Sequence, residues 1–236
     1  MAKYIILPIV EGHGEVVALP ILLRRWLQFR RYHNFEVDVV GPVRAAGQGA
    51  IKVPHDRKSE LGIEHYLEVA LLRRPDAILV LLDADDDCPK ALAPRLLARA
   101  RMMVPADYPI GIVIANREYE AWFLAAFASP GFRRSLEKEG FRLRQRSLPR
   151  GMQIESVADC KKRIAALIDF EEGKPNGSPP AKYHETTHQP VLTKLLPFTP
   201  GMQRRSRSYR KLLKELHTLL MQARRRRSSS AQRPSS

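Results

Sequence analysis

The chain has 236 residues, 44% of them hydrophobic, and carries 40 Lys and Arg against 25 Asp and Glu, a formal net charge of +15. That length holds one sizeable core, and the charge argues for a polyanionic partner, nucleic acid ahead of a membrane surface. Two cysteines far apart, Cys88 and Cys160, exclude a disulfide framework and a cysteine zinc site, and no apolar run is long enough to span a bilayer, so a cytoplasmic protein is expected.

KYIILPIV (3–10) is a short run rich in Ile and Val that ends at Glu-Gly, the pattern of a buried strand. From Glu15 to about residue 31, Val16, Leu19, Leu23, Trp26 and Leu27 recur at helical spacing, with Pro20 early in the segment. FEVDVV (35–40) alternates like a strand with one wet face. A loop bearing Arg44, Lys52, Arg57 and Lys58 leads to a helix over about 59–72. The run 77–82 is apolar at every position, as in a parallel strand covered on both faces; a helix over about 90–103, a strand within YPIGIVIAN (108–116) and a helix from REYEAWFLAAF follow.

This alternation predicts an α/β, doubly wound, mostly parallel sheet. Three regions are expected: a catalytic domain over 1–130, a basic helical and loop extension over 131–223 packing on it, and a disordered basic tail over 224–236, with 171–182 as the clearest flexible stretch. From Arg204 onward there are 11 basic residues and one acid, so most of the net charge lies there. The last helix, about 206–223, puts Leu212, Leu213, Leu216, Leu219 and Leu220 on one face, which suits either two-fold self-association or coverage of the sheet. Trp26 and Trp122 read as core residues, and Cys88 as structural.

Open parallel sheets bind ligands at the carboxyl ends of their strands. Those ends here read Glu11, then Asp83, Asp85, Asp86 and Asp87, then Glu118 and Glu120. Carboxylates gathered at one rim repel unless a cation sits between them, and hard oxygen ligands favour Mg²⁺ or Mn²⁺. If the chain stays extended, period-two alternation puts Asp83, Asp85 and Asp87 on one side; alternatively DADDD is a solvated helix N-terminus, with Asp86 the member most easily given to that reading. In VEGHGEV the glycines suggest a sharp turn exposing Glu11 and Glu15, since the third glycine and the GKS or GKT of phosphate loops are missing. His13 reads as a surface residue.

A strand ending in VEGxxE, a strand ending in DxD, and REYEAW opening a helix together resemble the Toprim superfamily. The likeness is to the small stand-alone Toprim proteins found with ATPases in bacterial defence islands, and more distantly to the OLD nucleases. It covers residues 3 to about 127. It implies a Toprim fold and Mg²⁺-dependent phosphoryl transfer or phosphodiester cleavage of DNA or RNA, with an ATPase partner and a role in antiviral defence. Glu11, Asp83 and Asp85 would be catalytic and metal-binding; Glu15 with Glu118 or Glu120 would hold a second metal. No tyrosine nucleophile domain is found, so strand passage is not implied. Arg44, Lys52 and Arg117 are the candidates for steadying the phosphate, with plain solvated surface as the alternative.

Two other readings compete. One is a non-catalytic nucleic-acid-binding module that docks on an ATPase. The other is a zinc protease through HETTH, with His184, Glu185 and His188 and a third ligand from Glu215 or His217. The flanking prolines and the β-branched Thr186 and Thr187 argue against the helix that zinc site needs. An aspartyl phosphatase lacks its accompanying Thr or Ser and Lys.

Overall fold

A computed structural model of the chain describes residues 3–32, 36–55, 58, 61–149, 151–170 and 182–231. Strand β1 (Lys3–Val10) runs into helix α1 (His13–Arg30), followed by β2 (Glu36–Val39), the two-residue β3 (Val43–Arg44), α2 (Ile63–Leu71), β4 (Ala77–Asp83), α3 (Pro89–Arg101) and β5 (Ile110–Ala115). All pairings in this sheet are parallel, in the order β2-β1-β4-β5. Along one edge of β1, β2 pairs with Lys3–Ile6 and β3 takes over at Ile9 and Val10. The other edge of β1 carries β4. The strand order therefore reverses between β1 and β4, the place where open α/β sheets form a crevice at their carboxyl ends.

The wholly apolar runs of β4 and β5 are covered on both faces, as expected. On one face Leu7, Ile9, Ile78, Val80, Ile112 and Ile114 meet α2 and α3. On the other, Ile6, Leu79, Leu81 and Val113 meet α1 and a second run of helices: α4 (Ala121–Phe127), α5 (Pro130–Lys138), α6 (Cys160–Leu167), α7 (Glu185–Leu195), α8 (Pro200–Arg205) and α9 (Arg207–Ala231). A separate antiparallel ladder, β6 (Arg142–Leu143) with β7 (Ile168–Asp169), sits beside α6. Residues beyond 130 thus share one core with the sheet.

Several expectations change. Helix α9 continues through Ala231, so the basic segment from Arg224 to Ala231 is helical rather than disordered; residues 232–236 lie outside the described residues. The Asp76 carboxylate accepts from Arg227 Nε and Nη2 at 2.6 and 2.7 Å, which ties that end of α9 to the sheet. The leucine face of α9 is buried, Leu212, Leu216 and Leu219 completely, against β5 and β4, so it covers the sheet and is not available for self-association. Cys88 is exposed, not structural, while Trp26 and Trp122 are buried. Arg57, Ser59 and all of 171–182 except Lys182 lie outside the described residues. Among the described residues no helix is long and apolar enough to cross a membrane.

Candidate functional site

Glu11 leaves the end of β1, and its Oε1 accepts from the Gly49 N–H at 2.8 Å, which pins the loop after β3 over the strand end. Asp83 closes β4, and its Oδ1 accepts from the Tyr119 N–H at 2.8 Å. Between these strand ends lies a cleft of about 310 Å³, lined by Glu11, Glu15, Asp83, Asp85 and Glu118 with Arg44 on its wall. Five of the expected metal ligands therefore line one cleft.

Their local geometry differs from the strand-end pattern. Asp85 has φ 53°, so the chain turns left-handed after Ala84 and the period-two argument for Asp83 and Asp85 fails. Arg117 is also left-handed (φ 56°), and its carbonyl accepts from the Asp85 N–H at 3.0 Å, so two strained residues clasp each other at the rim. Nor is DADDD a helix N-terminus, because α3 begins only at Pro89 and its first turn holds no acid. The glycines of VEGHGEV also act differently from expectation. Gly12 has an ordinary extended conformation (φ −82°), and Gly14 lies inside α1. Both permit close approach: a Cβ would fall 2.2 Å from Glu15 Oε2 at Gly12 and 1.8 Å from Gln189 Oε1 at Gly14, so either side chain would have to move.

The other candidate residues divide between the rim and the interior. Asp87 is exposed and leans on Lys52 at 3.4 Å, outside the cleft. Glu120 is not on the rim; it lies beneath it, 1% exposed. Lys52 is held by Asp85 at 2.9 Å with its side chain only 10% exposed, which turns it toward carboxylates rather than toward a phosphate. Arg117 pairs with Asp86 at 2.6 Å. Arg44 alone of the three basic candidates stays exposed on the cleft wall. His13 is exposed at the mouth.

The sequence reading missed Lys161, near the start of α6, and named Glu185, at the start of α7, only as part of HETTH; the two pair with each other and line the cleft. No local motif marks Lys161. The general signal was the number of acids, since buried carboxylates demand cations nearby. Gln48 was missed too; its side chain donates to Asp85 Oδ1 at 2.9 Å.

The electrostatics follow from crowding and burial. Burial pushes Glu11 up to about 7, against the pull of Lys52 and the Gly49 N–H. Burial pushes Glu120 up to about 8, with Lys161 opposing and Glu15 and Glu118 adding to the rise. Asp83 is driven well above the carboxylate range by burial and by the neighbouring Glu15 and Glu120. Glu15 and Glu118 are raised as well, first by burial. Burial works against the charge of Lys161, but Glu120, Glu185 and Glu118 outweigh it and hold the ammonium above its usual range; Lys52 is held up similarly by Asp85, Glu11 and Asp87.

Glu15 Oε2 and Glu118 Oε2 are buried without a hydrogen-bond partner among the described residues. Such oxygens, in an all-carboxylate set, fit a hard divalent cation by donor chemistry. Among the described residues, however, no three His, Cys, Asp or Glu side chains form a ready-made metal-holding group, and Lys52 and Lys161 supply positive charge beside the carboxylates.

The HETTH segment proves helical, against expectation, because Gln189, Pro190, Leu192 and Thr193 bury against α1 and the core. It is nonetheless poorly arranged for zinc. His188 Nδ1 accepts from the His184 N–H at 2.9 Å, and its ring stacks on Phe170 at 4.3 Å. Glu185 is paired with Lys161, Glu215 with Lys211, and His217 Nδ1 lies 2.8 Å from the Tyr32 hydroxyl.

A scan against protein-family models finds no match, and no curated protein or solved structure matches the chain.

Proposed function

We propose that the chain is a Toprim-type, divalent-cation-dependent phosphoryl-transfer enzyme that cleaves phosphodiesters of DNA or RNA. The observation that carries this reading is the convergence of Glu11, Glu15, Asp83, Asp85 and Glu118 on one cleft at the switch point of a parallel sheet, with buried oxygens of Glu15 and Glu118 left unpartnered. Glu11, Asp83 and Asp85 would hold a Mg²⁺ or Mn²⁺ ion, with Glu15 and Glu118 available to a second. When bound, such an ion activates water and stabilises the leaving oxygen.

The chain's own groups have separate tasks. In the metal-free cleft Glu11 has its affinity for a proton shifted to near neutrality, so a cation bound there would displace that proton and bind more tightly as pH rises. Arg44 faces the cleft and can receive a phosphate oxygen. Lys161 limits the mutual repulsion of Glu118, Glu120 and Glu185. The ATPase partner and defence role belong to the same proposal.

Incubation with plasmid DNA and with RNA, in Mg²⁺ or Mn²⁺ and in EDTA, tests it. Cleavage should require the cation and fall roughly 100-fold or more in Asp83→Asn. Cleavage that persists in Asp83→Asn or in EDTA would refute it. One observation favours the non-catalytic binding module instead: Lys52 and Lys161 already neutralise part of the cleft. Under that reading Mn²⁺ leaves the thermal midpoint unchanged, whereas a catalytic cation site raises it in wild type and not in Asp83→Asn.

A further inference from the structure

The free edge of β5 lies at the far side of the sheet from β2. The carbonyls of Pro109 and Ala115 accept from Ile78 and Ala84, so odd-numbered peptide groups of β5 face β4 and those of Ile110, Ile112 and Ile114 face outward. Arg101 donates to the Ile110 carbonyl at 3.4 Å and closes that end. Ile112 and Ile114 instead line a groove of about 700 Å³ between α3 and α9, which shares no lining residue with the carboxylate cleft. Its walls are Ala93, Pro94 and Leu97 from α3 and the polar face of α9.

The charge around the groove is one-sided. Lys90 and Arg207 are exposed on its rim, and neither side chain has a carboxylate partner among the described residues. The two acids present are engaged: Glu155 accepts from the backbone N–H groups of Arg207 and Ser208, and Glu215 pairs with Lys211. An edge strand whose outward peptide groups at Ile112 and Ile114 have no backbone partner among the described residues, an apolar wall and cations without carboxylate partners are matched by an extended polypeptide that pairs along β5, buries alternate apolar side chains and carries acids between them. A second copy of this chain, at +15, is disfavoured by charge.

We infer that this groove docks an extended, acidic and apolar segment of a partner protein as a further strand beside β5. The inference is independent of chemistry in the cleft. Its test uses the full chain and an acetylated, amidated heptapeptide of alternating Glu and Val. The peptide should bind, slow hydrogen exchange at the Ile112 and Ile114 amides, and shield Cys88, the exposed thiol on the groove, from alkylation. Lys90→Glu with Arg207→Glu, both surface changes, should weaken binding about 10-fold or more. N-methylation of alternate peptide amides on the pairing edge should abolish it.

Equal binding of the N-methylated peptide would replace strand pairing with a general apolar pocket and overturn the inference. No binding, or slow exchange at Ile112 and Ile114 in the isolated monomer, would overturn it too, the latter by showing the edge already covered by the chain itself. Dimerisation that protects the same amides would assign the groove to a second copy, again against the inference.

Discussion

Glu120 concentrates the physical problem of this site in one side chain. It is 1% exposed, the Tyr183 hydroxyl is the polar side chain set against its carboxyl without a close hydrogen bond, and Lys161, Glu15 and Glu118 act on it electrostatically. Because burial raises it from an ordinary value of 4.5 to about 8, the neutral form is the folded form at neutral pH. The stability tied to that proton is fully present below pH 4.5, where the unfolded chain is protonated too, and is lost as pH rises toward 8. In EDTA, wild type should lose on the order of 4 kcal/mol through this group between pH 5 and pH 9. Glu120→Gln carries no such proton, so urea midpoints of the two proteins should converge, or cross in favour of the variant, as pH rises. Parallel pH profiles would show that Glu120 is ionised in the fold. None of this was legible in REYEAW, because a carboxylate at the mouth of a strand and one buried beneath it are written with the same letter two residues apart.

At the level of elements, the contact of α1 with α7 sets the cleft wall. Gly14 on α1 admits Gln189 of α7 so closely that a Cβ would stand 1.8 Å from its Oε1 and 3.1 Å from Glu185 Cβ. Gln189 is itself 1% exposed and has no solvent to retreat into. Gly14→Ala should therefore destabilise the fold by roughly 1–3 kcal/mol and move Glu185 relative to Glu15. Adding Gln189→Ala should recover part of the loss, and chemical denaturation of the two single variants and the double variant would measure that coupling. Additive losses would mean that the two helices separate without this contact. The parallel sheet was readable because β4 as far as Leu82 and all of β5 are apolar at every position, a pattern set by burial on both faces. Helix α7 was not, since Pro190 and the threonines oppose a helix locally, and it is contact with α1 and the core that overrides them. Lys161 was invisible for the same reason: its distance from DADDD in sequence is closed only by the packing of α6.

Across the whole molecule, the charges occupy opposite ends of the sheet. The carboxylates crowd the carboxyl ends of β1 and β4, whereas α9 carries Arg226 and Arg227 to Asp107, Asp76 and the Lys3 carbonyl at the amino ends. A strand as long as β4, seven residues, separates these ends by about 23 Å. Under the proposed function, the arginines Arg226 and Arg227 of α9 therefore lie too far away to grip the phosphates next to a bond cleaved in the cleft, and would hold only a longer polyanion that passes around the molecule. Removing residues 224–236 takes away five arginines, Arg224, Arg225, Arg226, Arg227 and Arg233. The slope of log affinity against log salt for long DNA should then flatten by at most about 4.5, and by less because Arg226 and Arg227 already face carboxylates. Affinity for a dinucleotide-sized substrate should stay the same, since Arg44 and the cleft are untouched. Filter binding of long and short DNA across a salt series separates the two lengths: equal losses at both would place the arginines beside the cleft, and no loss at either would assign them to holding α9 on the sheet alone.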